Sequence, residues 1–368
     1  MYKYLLLIIL LINSSFISPQ KVIQIKEELT IGEELSKQKE LLFVRPDFIM
    51  TDSEGSIFIA ESVEKTIRKF DKNGKYLFKF GRRGKGPGEF QDLTSVSINK
   101  GDTLIIIDQL LYRISFFSKE CNYLNAAKIN PEEMLWPRKI IQLNSGNYLL
   151  GFKLENSPDI FHIFNNNFDK KFTSFGSNAI DVHDNPYIDS ASVEIFRGKI
   201  AGLENDDILY SPYIYDGNLY YYKKISDRKW KLVDRIKGYL KFKKPYIDIN
   251  PNIKDYDPLD PPWSFKGYTG INSYAAILMN ESRGLFILRN GNVINFTLIK
   301  NNENREFGFD LFDKKGNFLN HYVIYTKRLR KNMPTDIPIF VEWKDEEDNF
   351  YFKDLTTYPK IKKVKLIF

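Results

Sequence analysis

One cysteine, Cys121, stands in 368 residues, so no intrachain disulfide can form. Stability must therefore come from packing and sheet hydrogen bonds. Aligned on the repeats described below, Cys121 falls where Gly74 stands, in an outer hairpin turn, and is expected as an exposed spare thiol. Histidine is almost as scarce. His162, in "DIFHIF", and His321, in "FLNHYVIY", read as packed strand residues. Only His183, flanked by Asp181 and Asp184, is placed for chemistry. Three scattered histidines and one cysteine argue against a zinc site of ordinary ligand type. The nucleophile-elbow pattern GxSxG and the phosphate-loop pattern GxxxxGK[ST] are both missing. Long helical periodicity is missing too. The net charge of +7 is spread along the chain without forming a basic stripe, so nucleic acid is not an expected partner.

Long apolar runs are confined to the N-terminus. Lys3, the run Leu5 to Ile12, and the polar residues Asn13, Ser14, Ser15 and Ser18 before Pro19 read as an export signal over residues 1–20. Phe16, Ile17 and Pro19 leave its cleavage point undefined. The run is too short for a bilayer anchor. The remainder, 21–368, is expected as one exported domain, periplasmic or secreted, with no transmembrane anchor after signal cleavage.

What the chain has in excess is aromatic residues: 29 Phe and 22 Tyr, which favour pleated sheet. They fall into a repeating unit. "DFIMTDSEGSIFIAE" (47–61), "TSVSINKGDTLIIID" (94–108) and "KIIQLNSGNYLLG" (139–151) each read as strand, polar turn with a late glycine, strand. Weaker copies turn near Asp206, Gly291 and Asp348, giving six turns with Gly55, Gly101 and Gly146. A second hairpin, "KFDKNGKYLFKF" (69–80), recurs as "FFSKECNYL", "FNNNFDKKFTSFG" and "LFDKKGNFL". Four strands per unit and six units make an all-β six-bladed β-propeller the economical fold. The last unit has residues for only three strands. "KVIQIKEELTI" (21–31) is expected to supply the fourth and so close the ring.

The stretch "IFIAESVEKTIRKFDKNGKYLFKFGRRGKGPGEF" (57–90) resembles an NHL-type repeat, in particular those of bacterial exported six-bladed β-propellers. The likeness extends over roughly 45–120. It implies that an acidic residue ends the second strand of a unit, and Glu61 and Asp108 stand there. It implies fold more than activity. Some propellers of this general kind are metal-dependent lactonases or lyases with a metal in the central channel, which defines the alternative function.

Four glycines and three basic residues crowd "FGRRGKGPGEF" (80–90), yet a strand follows rather than a helix. The glycines read as a link between blades, free to take positive φ. Arg82 and Arg83 are candidate anion contacts on it. Links between blades and second-to-third-strand loops emerge on one face of a propeller, and the long insertions, at about 177–192 and 241–270, belong to that face. It is the expected binding face. Within the second insertion Trp263, Tyr256 and Tyr268 could stack a sugar or clamp a peptide, while Asp255, Asp257 and Asp260 offer oxygen ligands for Ca²⁺. The spacing "DYDPLD" lacks the glycine and glutamate of an EF-hand, so no cofactor is expected. The reading is of a non-catalytic binding module for a protein, peptide or glycan.

Overall fold

The computed structural model describes residues 21–130, 132–134, 137, 139–152, 157–177, 198–241, 246–249, 264–269, 272–278, 280–300, 304–328 and 339–368. For 21, 246–249, 264–269, 272–278 and 327–328 only the backbone is described. Apart from a one-turn 3-10 helix, Lys39–Leu41, the regular elements are strands.

Six antiparallel four-stranded units are arranged as a propeller. Their inner strands are Pro46–Thr51, Ser95–Ile98, Lys139–Gln142, Lys199–Gly202, Asn280–Ile287 and Ile339–Lys344. Each inner strand lies against the next, and the sixth lies against the first, so the ring is closed. Closure uses the N-terminal segment as expected. Strand Gln24–Ile31 pairs antiparallel with Lys360–Ile367 and becomes the outer strand of blade 6. Just before it, Lys21 and Val22 pair in parallel with Tyr322 and Val323 at the outer strand of blade 5. Ile23, buried between them, joins the core of the two blades. One short segment therefore stitches two blades together.

There is no single core. Six apolar clusters occupy the six gaps between neighbouring blades. Both faces of a middle strand are thus covered. This explains why Ile57–Glu61 (IFIAE) and Leu104–Asp108 (LIIID) are buried at every position, where a sheet with one wet face would alternate. Aromatic rings fill the wedges. Phe296 lies edge-on to Phe350 and Phe352 across the gap between blades 5 and 6.

The six inner turns share one geometry, in which the fourth residue has positive φ and donates its N–H to the first. That residue is Gly55, Asp102, Gly146, Asp206, Gly291 and Asp348. In the second turn Asp102, not Gly101, takes the strained position, a shift of one residue from the expectation. Glycine and aspartate alternate around the ring for a reason. Each aspartate accepts a backbone N–H from the glycine turn of the preceding blade: Asp102 from Ser53 (2.9 Å), Asp206 from Asn144 (2.5 Å), and Asp348 from Arg289 (3.1 Å). The left-handed conformation costs an aspartate less than other non-glycine residues, and the bond to the neighbouring blade offsets it. Asp206→Gly should relieve the backbone yet still lower stability, by about 1 kcal/mol, because two turn N–H groups of blade 3 lose a charged acceptor. Chemical denaturation checks this. A more stable Asp206→Gly protein would show the clamp to be inert.

One expectation about loops needs correction. The insertion around 241–270 is not simply an open loop: Tyr246–Ile249, Ser264–Thr269 and Asn272–Leu278 form a three-stranded antiparallel sheet between blades 4 and 5. Its first strand pairs across an intervening proline-rich segment, which hid the sheet in the sequence. The segment "KNNENR" (300–305) joins two paired strands of blade 5. Lys300 and Arg305 are paired, buried strand residues joined through 301–303. Blade 4 also has an outer hairpin that escaped the repeat search, Asn218–Ser226 with Lys229–Lys237, because its turn "SDRK" contains no glycine.

Candidate functional site

The inner strands enclose a cavity of about 690 Å³ along the propeller axis. Arg45, Ser62, Asp92, Gly198 and Tyr213 line it where the links enter the inner strands. At the opposite end stands Trp343, whose indole N–H donates to Thr51 Oγ1 (2.9 Å). Ser95 and Ser97 add hydroxyl groups to the wall, whereas the buried Ser282 hydroxyl donates to Asn295.

Charge is concentrated on the side formed by blades 3 to 6. Lys353 pairs with Glu342 (3.1 Å). Arg283 pairs with Glu281 (2.6 Å) and lies over the Phe340 ring, 4.3 Å from its centroid. Across the channel, Arg45 is held by Asp47 (2.8 Å) and by the Ser62 hydroxyl. Two wall cations remain, Lys139 of blade 3 and Lys199 of blade 4. Neither ammonium has a hydrogen bond or close ion pair among the described residues. Burial pushes the Lys139 amine below its usual range, opposed by the Glu342 carboxylate. Lys199 is pushed down to about 8, first by burial, then, against the pull of Glu342, by its cationic neighbours Lys139, Lys353 and Arg283. Burial would raise Glu342, but Lys353, Lys199 and Lys139 together hold it at about 2.

These residues carried no motif in the sequence. The signal that could have found them is positional. Lys139 and Lys199 each stand four residues before the first residue of the inner turn, Leu143 and Leu203 respectively, where the first two blades have Phe48 and Ser95. An inner-strand lysine at that register in two adjacent blades must face the axis.

The residues singled out from the sequence lie elsewhere. Arg82 and Arg83 are exposed and form a two-residue strand paired in parallel with Glu89–Phe90; neither lines the cavity. Arg82 is bound to Glu89 (2.7 Å), which also accepts the Lys85 and Gly86 N–H groups. Gly81 and Gly88 take positive φ, as the linking role requires. Gly84 is needed for a different reason, since a Cβ there would collide with the Glu89 carboxylate. Tyr268 lies on strand Ser264–Thr269. Trp263, Tyr256, Asp255, Asp257, Asp260 and His183 fall outside the described residues.

Glu61 and Asp108 close the second strands as the family resemblance implied, and the structure shows their task. Glu61 accepts the Val44 and Arg45 N–H groups, and Asp108 accepts those of Gln91 and Leu111. Each carboxylate fixes the incoming link against its blade. His162 is buried and stacked on Phe152, and burial lowers it to about 4, so it is a packed neutral residue. His321 does more than pack. Its ring bonds Asp310 (2.7 Å), reaches Glu306 (3.4 Å) and stacks on Tyr239. Burial opposes its charge, but the two carboxylates prevail and raise it. Cys121 is not an exposed thiol. It is half-buried against the core of blades 1 and 2, takes the positive φ of the Gly74 position, and burial pushes it up to about 12.

Residues 34–175 match a family model described as a 6-bladed beta-propeller. Among solved structures, the chain is similar to a member of the DUF4221 family from Bacteroides vulgatus, at 8% identity and a TM-score of 0.58, covering 95% of this chain and 99% of that one. It is also similar to a Bacteroides fragilis protein ascribed to the exported class, at 11% identity and a TM-score of 0.52, covering 94% and 96%. At such identities the likeness speaks for the fold. No curated protein sequence matches the chain.

Proposed function

We propose that the chain is an exported, non-catalytic binding module that receives a protein, peptide or glycan on the face bearing the inter-blade links, with part of the ligand entering the channel. The observation that supports this best is the polar axial cavity of about 690 Å³, lined at its link end by Arg45, Ser62 and Asp92. Rigid inner strands hold its wall, and binding sites favour loops gathered on such a scaffold. The apolar N-terminal segment supports export, and no described helix is long and apolar enough to cross a membrane. The NHL-type resemblance of 57–90 agrees with this class. Trp263, Tyr256 and Tyr268 are proposed to contact the ligand outside the channel.

Peptide and glycan arrays probed with the purified protein would test the reading. Ser97, on the channel wall, offers the control. Ser97→Trp should fill the channel and weaken captured ligands at least tenfold with little change in melting temperature. Array ligands indifferent to Ser97→Trp would overturn the channel as their site. Trp263→Ala should likewise weaken binding without loss of stability.

A further inference from the structure

We infer that the channel is an anion site, in which the Lys139 and Lys199 ammonium groups hold an acidic group, carboxylate or phosphate, of the bound ligand. The inference rests on the channel reading above and adds the chemistry of what the channel takes. Every other cation described around the cavity has a carboxylate partner: Arg45 has Asp47, Lys353 has Glu342, and Arg283 has Glu281. Among the described residues Lys139 and Lys199 have none in contact, though both lie where the Glu342 carboxylate influences them. Two ammonium groups facing one cavity without contact partners repel each other, and such an arrangement is unfavourable unless a negative group joins them.

The site has a defined shape. Lys139 and Lys199 are the first residues of adjacent inner strands, in equivalent register opposite Gly151 and Ser211. Their side chains therefore start from neighbouring points on the wall. Lysine is a compact charge with rotatable donors, suited to a rounded anion such as phosphate or to separate carboxylate oxygens. Ser95 and Ser97 offer neutral hydroxyl groups to the rest of the ligand. Glu342 is already paired with Lys353, so the two wall lysines are the cations left for the ligand. The ligand is thus a small organic anion or the acidic terminus of a larger one.

The site should also respond to pH. Around Lys199 stand Lys139 from blade 3, Arg283 from blade 5, and Glu342 and Lys353 from blade 6, with Arg45 and Asp47 of blade 1 across the cavity. Burial lowers both wall amines, Lys199 to about 8, so each gives up its charge more readily than an ordinary lysine. Anion binding should therefore weaken as pH rises from 7 to 9.5, while a merely hydrogen-bonded ligand would be unaffected.

Calorimetric titration of the purified protein with inorganic phosphate, succinate and citrate, against neutral glycerol, tests this. At pH 7 and low salt at least one anion should bind with a dissociation constant below about 1 mM, or roughly −4 kcal/mol. Phosphate binding without succinate or citrate binding would identify the acidic group as a phosphate, and the converse as a carboxylate. Lys139→Gln and Lys199→Gln should each weaken binding at least tenfold, and Lys139→Arg and Lys199→Arg should largely retain it. An unchanged melting temperature certifies the fold. No binding by any anion, or binding unchanged in the double Lys139→Gln, Lys199→Gln protein, would overturn the inference. The two readings separate cleanly. Array ligands lost in Ser97→Trp but kept in the double variant leave the channel standing without its anion. Anion binding with array ligands indifferent to Ser97→Trp leaves the anion site standing alone.

Discussion

Deleting residues 21–31 should abolish cooperative folding, or cost more than about 4 kcal/mol, placing it among the largest effects a local change produces. The strand Gln24–Ile31 is mostly exposed, so the loss does not come chiefly from its own burial. Three consequences add together. The hydrogen-bond ladder to Lys360–Ile367 disappears and leaves that strand as an open edge. Ile23 and Ile31 leave two different inter-blade cores, at about 1.5–3 kcal/mol each. The parallel stitch to Tyr322 and Val323 is lost as well, removing one of the ties between blades 5 and 6. Urea denaturation followed by tryptophan fluorescence would measure this, with size-exclusion chromatography detecting association through the freed edge. A truncated protein with an unchanged midpoint would show that three strands suffice for blade 6.

Glu281→Ala should cost about 3–5 kcal/mol, the range for breaking a buried ion pair from one side. Glu281, Arg283 and Lys300 are each about 1% exposed. The carboxylate contacts both cations and accepts the Tyr213 hydroxyl at 2.9 Å. Removing it leaves two buried positive charges without their shared counterion. The pH dependence has a definite sign. Burial alone would raise Glu281, but Arg283 and Lys300 hold it at about 2, below its ordinary 4.5. A carboxyl depressed in the folded state contributes stability that is fully present above its unfolded value and is lost as pH falls through its folded value. The stability gap between natural protein and Glu281→Ala should therefore be widest above pH 4.5 and shrink toward pH 2. A gap independent of pH over that window would mean that the carboxylate acts through packing and not through charge.

Much of this architecture was written locally. The turn residues Gly55, Gly146, Asp206, Gly291 and Asp348 are legible because a left-handed backbone position admits few residue types. The unbroken apolar runs at 57–61 and 104–108 announce strands covered on both faces. A missing strand in the last unit and a spare one at the N-terminus sufficed to predict closure. The three-stranded insertion and the glycine-free hairpin of blade 4 were not legible, because their signals are pairing partners and not punctuation. The sequence by itself determined the number of blades and their order, since each hairpin is written in residues close together in the chain, and a strand count one short at the end and one over at the start predicted how the ring closes. The tertiary structure alone decided which charges meet. Lys139, Lys199 and Glu342 come from three blades, and only closure of the ring turns these inner-strand residues toward a common cavity. Electrostatics acts through space, so a site assembled that way leaves no motif along the chain.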